Sequence, residues 1–575
     1  MNLLDYAILL GTLLGIAAFG MWRTRGQHEL HTYVHGARNT RWLTIGLSVM
    51  ATQASAITFL STPGQGYESG IGFVQNYFGA PLALLVIAIV FLPIYRRLNV
   101  DTAYQYLGRR FDEKTRVLGA VLFLVQRGFG AAITIYAPAI VLSTMMGWRL
   151  DATIIASGLL VTAYTVSGGS AAVNLTQKYQ IGVIFVGMAA AFVVLLLKLP
   201  RGLTFTDALA VAGGMHKLQA VDFSLNFETR YNLWSGVFGG MFLALSYFGT
   251  DQSQVQRYLS GASLRESRLG LMFNAVLKIP MQFSILLLGA LVFVFYQFEQ
   301  PPVFFNTATW NEHAVGAAAA PLRAAEAAFA AAHAEESRAL ERWVDARHRG
   351  DPAAAGARAA ALAAGARAEA ARAQARAALA QADPRAPAND ADYVFITFVL
   401  QQLPHGLIGL LVTAFFAAAL NSKAAELNAL GATTTVDIYR RVIHRTATEE
   451  EYVRASKWFT ATWGVIAIAI ALSVTFAENL IQWSNIVGSL FYGVVLGLFL
   501  VAFFLRRIGG TAVFLGAILA QAGVLVLYFV LPISYLWYNV IGCALCVLLA
   551  GGIQLLTDPR GTKADRDVIY SLGAP

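Results

Sequence analysis

The chain has 575 residues, 57% of them hydrophobic and 13% charged, with a mean hydropathy of +0.57. Soluble proteins carry about a quarter charged residues, so a water-soluble globular fold is excluded. The net charge of +9 reads as Lys and Arg gathered in cytoplasmic loops rather than as a nucleic-acid footprint.

Apolar runs of about twenty residues predict an all-α polytopic membrane protein with about thirteen transmembrane helices. They lie near 4–22, 42–62, 72–95, 117–146, 151–168, 178–199, 232–256, 270–297, 403–435, 454–476, 479–505, 512–531 and 534–556. The first run has no basic residues ahead of it and no small-residue cleavage signal after it, so no cleavable signal peptide is expected. Basic clusters fall in alternate loops: Arg23 to Arg41, Arg96 to Lys114, a weak Lys178, Arg257 to Arg268, Arg440 to Lys457, Arg506 and Arg507, and Arg560 to Arg566. By the positive-inside rule the N-terminus lies outside and the C-terminus in the cytoplasm, in the plasma (inner) membrane. Cys543 and Cys546 share the last apolar run with no second pair to complete a metal site, and read as packing.

The second run is the most informative. Gly46 to Tyr67 begins as an apolar helix, places Thr52, Gln53, Ser55 and Thr58 in its middle, and meets Pro63, Gly64 and Gly66 before it has crossed. Hydroxyls and helix breakers at membrane depth are tolerated where freed backbone faces protein or a watery cavity. In transporters such interrupted helices hold substrate or coupling ion near the midplane.

Residues 314–387 do not belong to the membrane. They are Ala- and Arg-rich, with the break HRGDP at 348–352, and predict a helical hairpin outside it. Two readings stand: a tolerated insertion with no role in transport, or a lid or partner-binding arm. GGS at 168–170 reads as a helix-end turn, and HExxH, GxSxG and phosphate-loop motifs are absent, so an enzyme is not expected.

The order of several stretches resembles the sodium:solute symporter family. They are WLTIGLSVMATQASAITFLSTPGQGY at 42–67, IYAPAIVLS at 135–143, AYTVSGGSAAVNLTQ at 163–177, DQSQVQRYLSG at 251–261 and FFAAALNSKAAELNALGATTTVDIYRR at 415–441. The resemblance implies a leucine-transporter-type fold: a 5+5 inverted-repeat core over 42–505, interrupted by the 314–387 insertion. One extra helix precedes it with the first loop (1–41), and two follow with a short tail (506–575). It also implies a sodium-coupled symporter importing a small polar organic solute, an organic anion or a sugar, with no obligate protein partner. The branch resembled is nearer organic-anion and vitamin carriers than sugar carriers.

Carried over by motif, sodium would take the carbonyls of Ala51, Ala54 and Ala418 and the side chains of Asn421 and Ser422, a set of neutral oxygens suited to a hard cation. The family usually has two adjacent hydroxyls where Asn421 and Ser422 stand, and Lys423 follows at once. A lysine can occupy a cation pocket, so a proton-coupled or sodium-independent transporter is the alternative, unless Lys423 is neutralised by Glu426 three residues on. Gln177 replaces the Asp of relatives with a second sodium, so one sodium per cycle is expected.

For the substrate, Gln53, Thr58, Gln75, Asn76 and Tyr77 supply mixed donors and acceptors. The resemblance adds Tyr247 as a thin gate, against an interfacial tyrosine, and Lys278 as a contact, against a side chain snorkelling to the cytoplasm. Arg127 and Asp251 are further intramembrane charges, and Arg127 is expected in a structural pair. A transporter-like solute sensor is a remoter alternative, since little chain follows the last span.

Overall fold

The computed structural model describes residues 2–23, 40–98, 102–200, 202–315, 319–384, 386, 389–473 and 479–558, without the side chains of 13, 14, 16–23, 167–180, 420 and 421. The expected roles of the 24–39 loop, the 559–575 tail, the Gln177 side chain and the Asn421 side chain therefore lie outside the described residues.

Every predicted apolar run is helical. Helix α1 is Leu3–Arg23; α2, Trp42–Gln53, and α3, Ala56–Ser69, share the second run. A 3-10 segment, Gly70–Tyr77, leads into α4, Ala80–Val86, which continues through a π turn into α5, Leu92–Leu98. Next come α6, Ala103–Arg110, α7, Glu113–Met146, and α8, Leu150–Lys198. Helix α9 is Phe205–Gly214, α10 Gly240–Gly249, α11 Gln252–Leu259 and α12 Leu264–Phe298. Next come α13, Thr307–His313, α14, Ala319–His348, α15, Ala354–Ala382, and α16, Ala391–Gln402. The chain ends with α17, Leu407–Thr433, α18, Glu449–Ser473, α19, Leu480–Phe504, α20, Gly510–Val530, and α21, Trp537–Thr557. Among the described residues nine helices are long and apolar enough to cross a bilayer, and three shorter ones are apolar. Their outer faces carry exposed Ile89, Val186, Val526 and Leu548, as lipid contact requires.

Two expectations need correction. The runs at 151–168 and 178–199 form one helix, α8, with Gly168–Ser170 inside it rather than at a helix end. No proline interrupts this stretch, so its amide ladder continues, over a length of about 73 Å. The break in the second run is also not at the proline and glycines. It lies at Ala54 and Ser55, and Pro63, Gly64 and Gly66 are inside α3. A side chain on Gly64 would strike the Ala391 carbonyl, and one on Gly66 the Leu286 carbonyl. These glycines let α16 and α12 lie directly on α3.

The 314–387 segment forms the expected hairpin, turning at Gly350 with φ +63°. It is docked rather than free. Leu340, Trp343 and Val344 enter the same apolar core as Val211 of α9 and Phe295 of α12, and the Trp343 ring lies where a side chain on Gly214 would be. Arg347 and His348 close on Asp207 at 2.9 and 2.8 Å. Glu336 is 5% exposed and lies against Gly365; burial, then Glu369 beside it, pushes its carboxyl up to about 7.

Candidate functional site

Two helices are discontinuous, α2/α3 and α10/α11. They head the second and seventh runs, equivalent places in two sets of five, which is the arrangement of an inverted repeat. At the first break α2 stops at Gln53, Ala54 takes φ −80° and ψ 66°, and α3 starts at Ala56. The hydroxyl of Thr58 donates to the Gln53 carbonyl at 3.1 Å. Across from it the hydroxyl of Ser422, on α17, donates to the Thr52 carbonyl at 3.1 Å. The backbone released by the break is thus met by the distant serine that sequence comparison singled out. Ala51, Ala54 and Ala418 are all buried.

The second break runs through Thr250 and Asp251. Asp251 caps α11 by accepting from the Ser253 amide at 2.9 Å and its hydroxyl at 2.7 Å. Its other oxygen accepts from Arg127 and, at 3.0 Å, from the Tyr492 hydroxyl. Arg127 also donates to Glu426 at 3.0 Å and to Tyr492 at 2.8 Å, and Glu426 accepts from Thr134 at 2.8 Å. One guanidinium therefore ties α7 to the second break, to α17 and to α19. The expected structural pairing of Arg127 is present. Lys423 and Glu426 are coupled through their charges rather than through a hydrogen bond: Glu426 turns to Arg127 and Thr134, and the buried Lys423 Nζ has no hydrogen-bond partner among the described residues. Successive helix positions diverge by about 100°, which separates Lys423 from the face on which Ser422 meets Thr52.

Between the two breaks lies a cavity of about 120 Å³. Gln53, Thr58, Asn76, Tyr77, Tyr247, Lys278, Ser422 and Glu426 all line it. Lys278 does not snorkel: it is 4% exposed, its ammonium lies 4.7 Å over the Tyr77 ring, and no carboxylate pairs with it among the described residues. Tyr247 stands in the last turn of α10, its hydroxyl accepting from Gln254 at 2.7 Å, 5.5 Å under the Arg127 guanidinium. Gln75 is elsewhere. Its amide donates to the Tyr231 carbonyl at 3.0 Å and accepts from the Asp222 amide at 3.0 Å, which fastens a loop behind Asn76 and Tyr77.

Sequence reasoning missed the second break and the polar lining residues Gln126, Thr134, Ser484, Asn485 and Tyr492. A signal existed for the break: Gly249, Thr250 and Asp251 combine a glycine, a hydroxyl and a charge within an apolar run, as the first break does with Thr52 to Ser55. Nothing comparable marks Tyr492 until α19 is seen to face α7.

The model of the sodium:solute symporter family matches residues 33–324 and 372–520. The chain is 31% identical to the human (Homo sapiens) sodium/iodide cotransporter over 51% of its own length and 45% of that protein's, so it spans about half the length of that relative. It is 24% identical to the sodium/sialic acid symporter SiaT of Proteus mirabilis (strain HI4320) over 96% of this chain and 94% of that one. A solved structure of a Na+-coupled sialic acid symporter in a substrate-bound outward-open state superposes with a TM-score of 0.74 at 22% identity, covering 98% of this chain and 99% of that one, which establishes the fold. With that fold, two broken helices in equivalent places and a family match over most of its length, this multi-pass membrane chain belongs to the sodium:solute symporter family.

Proposed function

We propose that the protein is a sodium-coupled symporter that imports a small organic anion by alternating access. The observation that carries this reading is the Ser422 hydroxyl on the Thr52 carbonyl, beside a cavity holding Lys278. Sodium, the co-transported ion, would take the carbonyls of Ala51, Ala54 and Ala418 with Asn421 and Ser422, one ion per cycle. In that position it joins α17 to the end of α2, and so orders the break from which Gln53 and Thr58 face the solute.

The cavity supports an anionic solute. Arg127 is already matched by Asp251 and Glu426, whereas no carboxylate pairs with the buried Lys278 among the described residues. A carboxylate on the solute supplies a counter-ion, and Asn76, Gln53 and Thr58 are left for hydroxyl or amide groups. The relatives' names point the same way, since iodide, monocarboxylates and sialic acid are anions at neutral pH. In this reading Tyr247, packed beside Tyr492, covers the solute from the second break.

The basic loops meet on one face: Arg110 donates to the carbonyls of Leu505 and Arg506, and Arg96 to that of Gly261. The hairpin lies at the other ends of α3 and α12. We assign the basic face to the cytoplasm and the hairpin to the outside of the plasma (inner) membrane, with the N-terminus outside and the C-terminus inside.

The test is uptake of a panel of anionic and neutral solutes into proteoliposomes, under an imposed sodium gradient or with potassium only. Sodium-driven accumulation of an anion is expected, lost in Lys278→Ala. Accumulation that ignores sodium would point instead to Lys423 as a resident cation, and sodium-driven uptake of neutral solutes alone would remove the role given to Lys278.

A further inference from the structure

The family match breaks off at 324 and resumes at 372, so the body of the hairpin lies outside it. At 372 stands the most elaborately held residue of the insertion. Arg372, on α15, is 4% exposed. Its Nε donates to the Val303 carbonyl at 3.1 Å, Nη1 to the Tyr67 hydroxyl at 3.3 Å and Nη2 to the Asp390 carboxylate at 3.2 Å, while its guanidinium lies 4.7 Å over Phe305. Asp390 in turn accepts from the Phe305 amide at 2.6 Å and from Arg376 at 3.1 Å.

The partners of this one side chain converge on the outer end of the site. Tyr67 is in the closing turns of α3. Asp390 immediately precedes α16, which lies on α3 at Gly64 with no room for a side chain. The next acid, Asp392, accepts from the Leu480 amide at 3.0 Å, and so holds the start of α19. Gln65 of α3 accepts from Asn479 there at 2.6 Å. For a solute to enter from outside, the outer half of the broken helix must part from α19. Arg372 fastens the hairpin to α3 and to the segment wedged between them. On the cytoplasmic face the broken helix is held by backbone bonds between Thr40 and the turn at Ser260 and Ala262, by the buried Asn274 amide donating to the Gly46 carbonyl at 3.0 Å, and by an exposed bond from the Trp42 amide to Glu266.

We propose that Arg372 and Asp390 are positioning residues for the outer gate, and that the hairpin is a cap that holds the outer half of the broken helix closed. The inference rests on the transport reading, because it takes α3 to be a moving part. A buried guanidinium shared among three elements is lost as a unit when they separate, and Asp390 is then left short of a partner. The hairpin therefore shifts the balance between outward-closed and outward-open forms, and any change in it must appear in sodium affinity, which is linked to that balance.

The experiment uses the full chain in proteoliposomes with Ser484→Cys, a cavity-lining position on α19, as reporter for a membrane-impermeant maleimide added from the hairpin side. Arg372→Ala is expected to raise the labelling rate about threefold to tenfold, to lower the half-saturating sodium concentration, and to lower maximal uptake. Arg372→Lys keeps one charge for Asp390 but cannot span the three partners; it is expected to act in the same direction by less, and serves if the alanine variant does not accumulate. Arg338→Ala, exposed on the same hairpin, is expected to change nothing. Unchanged labelling and sodium affinity in a well-folded Arg372 variant would overturn the proposal, as would labelling raised equally from both faces, which marks general loosening. Labelling does not depend on uptake, so a wild-type protein without sodium-driven transport would defeat the functional reading while the effect of Arg372 on the outer face could still be read.

Discussion

The hairpin and the broken-helix core are built on opposite plans. In α14 and α15 the helices follow from alanine and arginine spacing, and the pair closes on itself over small residues such as Ala361, Ala364 and Ala375. In the core the decisive contacts join residues far apart in the chain: Ser422 with Thr52, Arg127 with Asp251 and Glu426. Yet the hairpin is joined to the core in two ways, through the apolar seam of Leu340, Trp343 and Val344 and through buried polar side chains such as Arg372. Local propensity makes an element, and apolar packing with a small number of desolvated charges decides where it is held.

The contrast can be tested from its strongest point. Arg127→Ala leaves Asp251 and Glu426 buried without their cation, so a loss of about 3–5 kcal/mol is expected, read as failure to accumulate or a much lower melting temperature in detergent. A variant of wild-type stability would mean these carboxylates are protonated or solvated. Trp343→Ala opens the docking seam at Gly214 and is expected to cost about 3 kcal/mol locally. Its readout is proteolysis within 319–382 with the spans intact; protection equal to wild type would show that the hairpin is held by its charged residues alone. Ser422→Ala is expected to raise the half-saturating sodium concentration about tenfold, near 1.4 kcal/mol, with little change in melting, and an unmoved sodium curve would remove Ser422 from the ion's shell.

The smallest effect concerns pH. Glu336 has a folded carboxyl pushed up to about 7 by burial and by Glu369, against 4.5 when unfolded. A raised acid binds its proton more tightly in the folded state. Docking is thus strongest below about 4.5, weakens as pH rises toward 7, and is level above that. Protease should cut the hairpin faster at pH 8 than at pH 5 after correction for the enzyme's own pH dependence, and Glu336→Gln should flatten the slope. A slope that survives the substitution would assign it to other groups.

Much of the site was legible because its chemistry is conspicuous in an apolar chain. Thr52, Gln53 and Thr58 stand out in the second run, and Lys278 in the eighth. The exact break was not legible, since Pro63, Gly64 and Gly66 look like breakers and in fact admit α16 and α12. Helical spacing brought Lys423 and Glu426 within reach of each other's charge, but the hydrogen bonds of the glutamate went to Arg127 and Thr134 on α7, which the spacing could not show.

What the amino-acid order alone determined was the class of protein, the places where helices cross, the existence of the hairpin and the polar residues committed to the membrane interior. These follow from hydropathy and local propensity, which act within a few turns of chain. Which helix Arg127 binds, that Lys278 pairs with no carboxylate among the described residues, that Gln75 faces a loop and that Arg372 seizes the closing turns of α3 were decided only by the packed structure. Their energies come from desolvating charges against particular distant partners, and no window of sequence contains both members of such a pair.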